Sequence, residues 1–135
     1  MDSIVRVRVL LISSLGALLL SSGCTSDIAA PNVPGGDATL GKRLAARYQC
    51  GACHRIPEVP AGRAGMGAGL GPTLGPDLAR FGRRSYIAGG IPNQPAALVS
   101  WLRDPPAMKP GTAMPNMGVS ADDARHLAAY LYTLR

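Results

Sequence analysis

The stretch CGACH, Cys50 to His54, decides the fold of this chain, because it brings two thiols and an imidazole together within one short segment. Leu40, Leu44 and Tyr48 precede it at intervals of four residues, which predicts a helix that runs directly into the motif. The segment after His54 is rich in Gly and Pro, so the chain there is predicted to be irregular. The motif therefore lies where a helix gives way to a long loop.

Two cysteines at this spacing can form a redox couple, contribute to a zinc site or attach a haem. A thioredoxin-type couple is expected after a strand of an α/β pattern, whereas a helix is predicted to lead into Cys50. A zinc site needs four ligands, and beside the motif the distant His126 is the further candidate. A haem explains the whole motif, since the thiols can add to two vinyl groups on one porphyrin edge and His54 can bind the iron axially. The motif predicts one haem c, attached through Cys50 and Cys53.

The composition also indicates a large non-protein group in the core. The chain has 135 residues, of which 47% are hydrophobic but only 4% aromatic, with a single Trp. One domain of this size that is so poor in large side chains would bury a thin core by itself. A haem would fill the remaining space.

The fold is predicted to be all-α, with three to five short helices and long loops wrapped around one covalently attached haem. A short helical turn is expected within residues 77–89, and no strand pattern is apparent. Asn93 is predicted to cap a helix that ends at Pro105. Ser120 and Asp123 are predicted to begin the terminal helix as a capping box.

The N-terminus has the form of an export signal. Arg6 and Arg8 precede an apolar stretch, Val9 to Leu20, which is too short to span a bilayer. The sequence LLLSSGCTS follows and resembles the lipobox of bacterial lipoproteins, with Ser21 where that motif usually has Leu. Cys24 is therefore predicted to be lipidated. Ordinary signal cleavage and an uncleaved anchor are the alternatives.

Cleavage of a signal peptide over residues 1–23 would leave a flexible tether over residues 24–38 and a haem domain over residues 39–135. We expect the protein on the periplasmic side of a bacterial membrane, held there by lipid. The chain carries 14 basic and 8 acidic residues, a net charge of +6. Outside the cytoplasm this charge indicates an acidic protein surface or anionic lipid as partner and argues against nucleic acid.

From about residue 39 to residue 135 the chain resembles the class I c-type cytochromes, particularly the small bacterial monohaem members. CGACH is the specific part of this resemblance. The weaker segments that agree, in the same order, are GPDL, FGRR, an Asn-Pro helix that contains Trp, GTAMP and YLYTL. The resemblance implies the cytochrome c fold.

The resemblance also implies the second axial ligand of the iron. Met114 lies in GTAMP, which is similar to the family's ligand loop, so His54 and Met114 are the expected iron ligands. The alternatives to Met114 are Met117, Met108 and His126. The carbonyl of Pro76 in GPDL is expected to accept a hydrogen bond from the His54 ring, with Pro72 in GPTL as the alternative.

Further haem contacts follow from the same resemblance. Leu78 is expected to pack on the ring, and Trp101 and Arg83 are expected to contact propionates, with Arg84 as the alternative to Arg83. The first and last helices are expected to cross at Gly41, Tyr48, Leu127 and either Tyr130 or Leu131.

These expectations lead to a functional hypothesis. A His/Met-ligated iron has a raised reduction potential and no vacant position, which suits an electron carrier rather than an enzyme. The resemblance implies a terminal oxidase or a quinol-cytochrome c reductase as partner, and we expect a monomer. Arg47, Arg55 and Lys109 are candidates for a basic ring around the exposed haem edge. The alternatives are a haem subunit of a periplasmic dehydrogenase and a gas-binding or peroxidase-like haem protein with a labile sixth ligand.

Overall fold

A computed structural model describes residues 29–60 and 74–135 of the chain. The predicted signal peptide, Cys24 and Pro72 lie outside the described residues. The described part contains four α-helices and two short 3-10 turns, at Cys50–Ala52 and Phe81–Arg83. The helices are α1 (Ala38–Arg47), α2 (Pro95–Arg103), α3 (Pro105–Met108) and α4 (Ala121–Thr133). The predicted helical class is confirmed.

A small antiparallel strand pair was not expected from the sequence. Strand β1 (Tyr86–Ile87) pairs with β2 (Ile91–Pro92), and Ile87 lies opposite Ile91. Strands of two residues are too short to show an alternating pattern of apolar and polar side chains, which is the signal for a strand in a sequence. Within residues 77–89 the predicted helical turn is present as the 3-10 turn, and β1 follows it.

The packed domain begins earlier than the predicted boundary at residue 39. Helix α1 starts at Ala38, and the Asp37 side chain caps it by accepting a hydrogen bond of 3.0 Å from the Leu40 N–H. Val33 is buried in the hydrophobic core. The end of the segment predicted as a tether is therefore part of the folded domain, because burial of Val33 holds it against the helices.

Helices α1 and α4 cross at Gly41. A Cβ atom at this position would lie 1.9 Å from the carbonyl oxygen of His126, so the two backbones are in direct contact. Leu44 on α1 and Leu127 on α4 are buried beside the crossing, and the Tyr48 hydroxyl donates a 2.7 Å hydrogen bond to Asp123 Oδ2. The predicted helix crossing is confirmed. A glycine is needed here because any side chain would force the helices apart.

Helix α2 differs from the prediction at both ends. Its N-cap is Gln94, whose side chain makes no capping hydrogen bond, and not Asn93. Helix α2 ends at Arg103, and Pro105 is the first residue of α3, where its missing N–H costs nothing. Asp104 caps α3 through a 3.3 Å hydrogen bond from the Ala107 N–H. The predicted stop at Pro105 is thus the start of a further short helix.

The Asn93 side chain instead connects two other parts of the chain. Its Nδ2 donates a 2.9 Å hydrogen bond to the carbonyl oxygen of Arg84, and its Oδ1 accepts a 3.0 Å hydrogen bond from the Tyr132 hydroxyl. The residue therefore joins the turn before β1 to the end of α4. Its place directly before Gln94 and Pro95 suggested a cap, but these long-range partners use its side chain.

Helix α4 begins directly after Ser120, as predicted, and the Ser120 half of the predicted capping box is present. The Ser120 hydroxyl accepts a 3.1 Å hydrogen bond from the Asp123 N–H. The acidic side chains of Asp122 and Asp123 lie in the first turn, where their negative charges interact favourably with the helix dipole. Within residues 29–60 and 74–135, no helix is long and apolar enough to cross a membrane.

Candidate functional site

A cavity of about 620 Å³ lies between the CGACH motif, the three longer helices and the loop that contains Met114. This volume is within the range of ~300–1,000 Å³ that is typical of ligand pockets. The lining is mainly apolar. It includes Ala45, Cys50, Cys53, His54, Leu78, Leu98, Trp101, Leu102, Met114, Leu127 and Leu131. Both cysteines and the histidine of the motif therefore reach one cavity.

The local backbone explains how the motif reaches the cavity. After α1, Gln49 adopts a left-handed conformation with φ of 54°, which turns the chain into the 3-10 turn Cys50–Ala52. The N–H of His54 donates a 3.0 Å hydrogen bond to the carbonyl oxygen of Cys50, so the turn continues through the motif. Cys50 and Cys53 form no disulfide.

The environment of Cys50 is unlike that of a redox-active thiol. Burial raises the pKa of Cys50 to about 11. Reactive cysteines of redox couples have a lowered pKa, because the thiolate is the attacking species. Among the described residues, no three His, Cys, Asp or Glu side chains form a group that could hold a metal ion. The raised pKa of Cys50 argues against a redox couple, and the lack of such a ligand group among the described residues argues against a zinc site.

His54 is held by the GPDL segment. Its Nδ1 lies 2.8 Å from the carbonyl oxygen of Pro76. A carbonyl can only accept a hydrogen bond, so Nδ1 carries the proton and Nε2 keeps the lone pair that a metal ligand needs. Gly75 permits this contact, because a Cβ atom there would lie 2.5 Å from His54 Cε1.

The same segment is joined to the motif through the backbone. The N–H of Gly75 donates a 2.9 Å hydrogen bond to the carbonyl oxygen of Cys53, and the N–H of Leu78 donates a 2.8 Å hydrogen bond to that of Arg55. Leu78 is buried and lines the cavity. These bonds set GPDL alongside CGACH, so that the Pro76 carbonyl faces the imidazole.

Among the methionines of the described residues, Met114 is the one that lines the cavity. Met117 is 43% exposed, and Met108 lies at the end of α3 beside a separate surface groove. His126, on α4, accepts a 3.0 Å hydrogen bond at Nδ1 from the Asp37 N–H and does not line the cavity. The structure therefore brings His54 and Met114, but not the three alternatives, to one cavity.

The structure distinguishes the two candidate arginines. Arg84 lines the cavity, whereas Arg83 is exposed and does not. The guanidinium of Arg84 lies 6.0 Å from the centre of the Phe81 ring and donates a hydrogen bond to the carbonyl oxygen of Asp77. Phe81 is buried in the core and holds the turn in this orientation. Arg83, with Arg84 as the alternative, was expected from the sequence to contact a propionate, whereas the structure places Arg84 at the cavity.

Trp101 is buried on α2 and lines the cavity. No hydrogen bond joins its indole N–H to another described residue, so this donor is available to a group in the cavity. The expected basic ring is only partly present at the site. Lys109 lines the cavity, while Arg55 forms an ion pair with Asp77 and Arg47 is exposed at the end of α1.

Sequence reasoning gave no role to the β1–β2 turn. Ile87, Ala88 and Gly89 line the cavity, although they belong to no recognisable sequence motif. The left-handed φ of 50° at Ala88 is unusual for a residue with a side chain. Only a helical turn was predicted within residues 77–89, and nothing in the sequence indicated what the β1–β2 turn would contact.

The cytochrome c family model matches residues 38–135, which is well over half of the chain. The chain belongs to the cytochrome c family. Members carry haem c bound covalently through two cysteines, and in this chain Cys50 and Cys53 have the required spacing. The family assignment makes haem-based electron transfer the general function of this cytochrome c.

Two curated relatives have the name cytochrome c oxidase subunit 2. The protein from Alkalihalophilus pseudofirmus is 32% identical over 99 residues, and that from Bacillus subtilis is 30% identical over 96 residues. The alignments cover 73% and 70% of this cytochrome c but only 26% and 25% of the relatives. The chain therefore spans about a quarter of the length of these relatives. No solved structure matches the chain.

The residues at the cavity fit a covalently bound haem c. Two thiols, an imidazole with its proton on Nδ1 and a predominantly apolar lining meet there. Arg84, Lys109 and the indole N–H of Trp101 are donors that carboxylate groups of a haem could use. When bound, the haem supplies an iron that changes charge by one electron. The chain supplies the attachment, the orientation of His54 and the exclusion of water.

Proposed function

We propose that this cytochrome c carries one electron at a time between redox partners, through an iron with His54 and Met114 as axial ligands. The observation that carries the proposal is the pairing of these two side chains at one cavity, with the His54 Nδ1 proton already committed to Pro76. The lone pair on Nε2 and the thioether of Met114 are then the donors available to the metal.

Each axial residue has a separate role. The hydrogen bond from Nδ1 to the Pro76 carbonyl fixes the ring orientation and increases the basicity of the imidazole. The soft thioether of Met114 favours the reduced iron and so raises the reduction potential relative to a second imidazole. With both positions filled, electron transfer requires little movement of the ligands. This arrangement suits an electron carrier rather than an enzyme that binds a substrate at the iron.

A terminal oxidase is the partner that we propose. The two relatives described above have names that identify them as oxidase subunits, and their similarity to this chain is limited to about a quarter of their length. We propose that the corresponding domain of this chain delivers electrons to an oxidase. A quinol-cytochrome c reductase would be the donor. No feature of the site favours the periplasmic dehydrogenase or the gas-binding alternative.

The proposed location is the periplasmic side of a bacterial membrane, with a lipid anchor at Cys24. Without residues 1–23, which contain Arg6, Arg8 and Asp2, the net charge is +5, and this positive charge supports docking to an acidic partner surface. In the described residues, Asp77, Asp122 and Glu58 form ion pairs with basic residues, whereas Arg80, Arg83 and Arg103 form none. The surface therefore keeps an excess of unpaired positive charge.

Replacement of Met114 tests the axial assignment. The holoprotein, matured in a host with haem-attachment machinery, is expected to show the thioether-to-iron charge-transfer band near the red end of the spectrum. Met114→Ala should lose this band but keep one covalent haem by mass. The matched control Met117→Ala removes an exposed thioether and should keep the band. Survival of the band in Met114→Ala would contradict the assignment.

Stopped-flow oxidation tests the partner. The reduced holoprotein should transfer electrons to a purified terminal oxidase, with a rate that falls as the salt concentration rises. A rate that does not depend on salt would contradict the electrostatic docking, and the absence of transfer would contradict the proposed partner.

A further inference from the structure

The loop that carries Met114 has few attachments to the rest of the chain. Residues 109–118 lie between α3 and the buried Val119, and all of them except Thr112 and Met114 are exposed. Such a segment has a low local stability, because little apolar surface and few hydrogen bonds hold it. A specific attachment would therefore have a large influence on where Met114 lies.

Lys109 provides such an attachment. Its Nζ donates a 2.7 Å hydrogen bond to the carbonyl oxygen of Ala88 in the β1–β2 turn. Within the described residues, no other hydrogen bond joins residues 109–118 to a part of the chain beyond α3. Lys109 and Ala88 both line the cavity, so the bond closes one side of it.

The bond is connected to Met114 by two further hydrogen bonds. The carbonyl oxygen of Lys109 accepts a 3.2 Å hydrogen bond from the Thr112 N–H. The Thr112 hydroxyl then accepts a 3.3 Å hydrogen bond from the Met114 N–H. The position of the Met114 backbone thus depends on Thr112, and that of Thr112 depends on Lys109.

The other end of the attachment is firmly placed. Ile87, directly before Ala88, is buried in the core, and the Gly90 N–H donates a 3.1 Å hydrogen bond to its carbonyl oxygen. Ala88 has a left-handed backbone, and its carbonyl oxygen lies where Lys109 can reach it. The turn is therefore a rigid acceptor, and the loop is the part that can move.

We propose that Lys109 is a positioning residue that fastens the Met114 loop to the β1–β2 turn and thereby sets how readily Met114 leaves the iron. The proposal rests on Met114 being the axial ligand. Lys109 does not touch the iron; it acts through Thr112 on the backbone of Met114. Loss of the attachment leaves the ligand in place on average but lets the loop open more often.

The test measures the rate at which added imidazole replaces Met114 as a ligand of the iron in the oxidised holoprotein. Stopped-flow absorbance at pH 8 records this rate. Imidazole is mainly neutral at this pH, so removal of a positive charge does not change its approach to the site. The exchange rate of Lys109→Ala is expected to rise roughly five-fold, as follows from the loss of one exposed hydrogen bond. Lys109→Arg keeps a donor of similar reach and should restore most of the wild-type rate.

Arg103→Ala is the matched control. Arg103 is also an exposed cation near α3, but within the described part of the chain it forms no ion pair, and it does not line the cavity. Its replacement should therefore leave the rate of ligand exchange unchanged. Hydrogen exchange gives a second measurement, in which the Met114 amide should exchange faster in Lys109→Ala than in the wild type. The proposal would be overturned if Lys109→Ala had the wild-type rate of ligand exchange, or if Arg103→Ala increased that rate equally.

This result is separate from the test of the axial ligand. If the charge-transfer band survives in Met114→Ala, the ligand assignment is wrong whatever Lys109 does. If that band is lost as expected but Lys109→Ala exchanges like the wild type, the ligand assignment holds and the role of Lys109 is wrong.

Discussion

Replacement of Gly41 by alanine should destabilise the protein by separating its first and last helices. The new Cβ would lie 1.9 Å from the carbonyl oxygen of His126, 2.6 Å from the carbonyl carbon and 2.8 Å from Tyr130 Cβ. None of these atoms can rotate away, because two belong to the backbone and the third is attached directly to it. Relief of the contact therefore requires a movement of α1 relative to α4.

The magnitude follows from two opposing effects. Insertion of a methyl group into a packed contact costs about 1–3 kcal/mol, and the upper end applies here because the neighbours are backbone atoms. Alanine has a better helix propensity than glycine by about 1 kcal/mol, which offsets part of this cost. We expect a net loss of about 2 kcal/mol in the free energy of unfolding.

Urea unfolding of the holoprotein, followed by far-UV circular dichroism, measures this loss. Gly90→Ala is the matched control, because a Cβ at that position would meet nothing within 4 Å and its φ is not left-handed. The free energy of unfolding of the control should lie within about 0.5 kcal/mol of the wild-type value. A Gly41→Ala protein as stable as the wild type would show that the helices can separate without cost and would refute the reasoning.

Two further predictions concern the connections of α4. Asn93→Ala should lower the free energy of unfolding by about 1–3 kcal/mol, because the Arg84 carbonyl and the Tyr132 hydroxyl lose their partner. Gln94→Ala, at a cap position without a capping bond, should change it by less than about 0.5 kcal/mol, and equal losses in both variants would contradict the proposed role of Asn93. Burial raises the pKa of Tyr132 from its ordinary value of 10.0 to about 12, so the tyrosine ionises first in the unfolded chain. The resulting stability is fully present below pH 10 and is lost as the pH rises towards 12, by roughly 3 kcal/mol in total. Urea midpoints measured from pH 9 to 12 should therefore fall less steeply in Tyr132→Phe, and identical slopes would argue against this effect.

Local patterns in the sequence were sufficient for the elements that depend on local interactions. The spacing of Leu40, Leu44 and Tyr48 predicted α1, and Ser120 predicted the start of α4, because helix periodicity and caps involve residues within a few positions of each other. The end of α2 shows the limit of such patterns. Pro105 excludes continuation of a helix but equally suits the first position of a new one, and only packing selected the second possibility.

CGACH by itself determined the covalent haem site, since the spacing of two thiols and a histidine contains the whole attachment chemistry. Tertiary structure decided which of several similar residues meet at the cavity: Met114 among the methionines of residues 29–60 and 74–135, Arg84 rather than Arg83, and Pro76 at His54. It also revealed the contact between Lys109 and Ala88, which are 21 residues apart. Contacts of this kind depend on how distant segments pack in three dimensions, and no pattern within either segment encodes its partner.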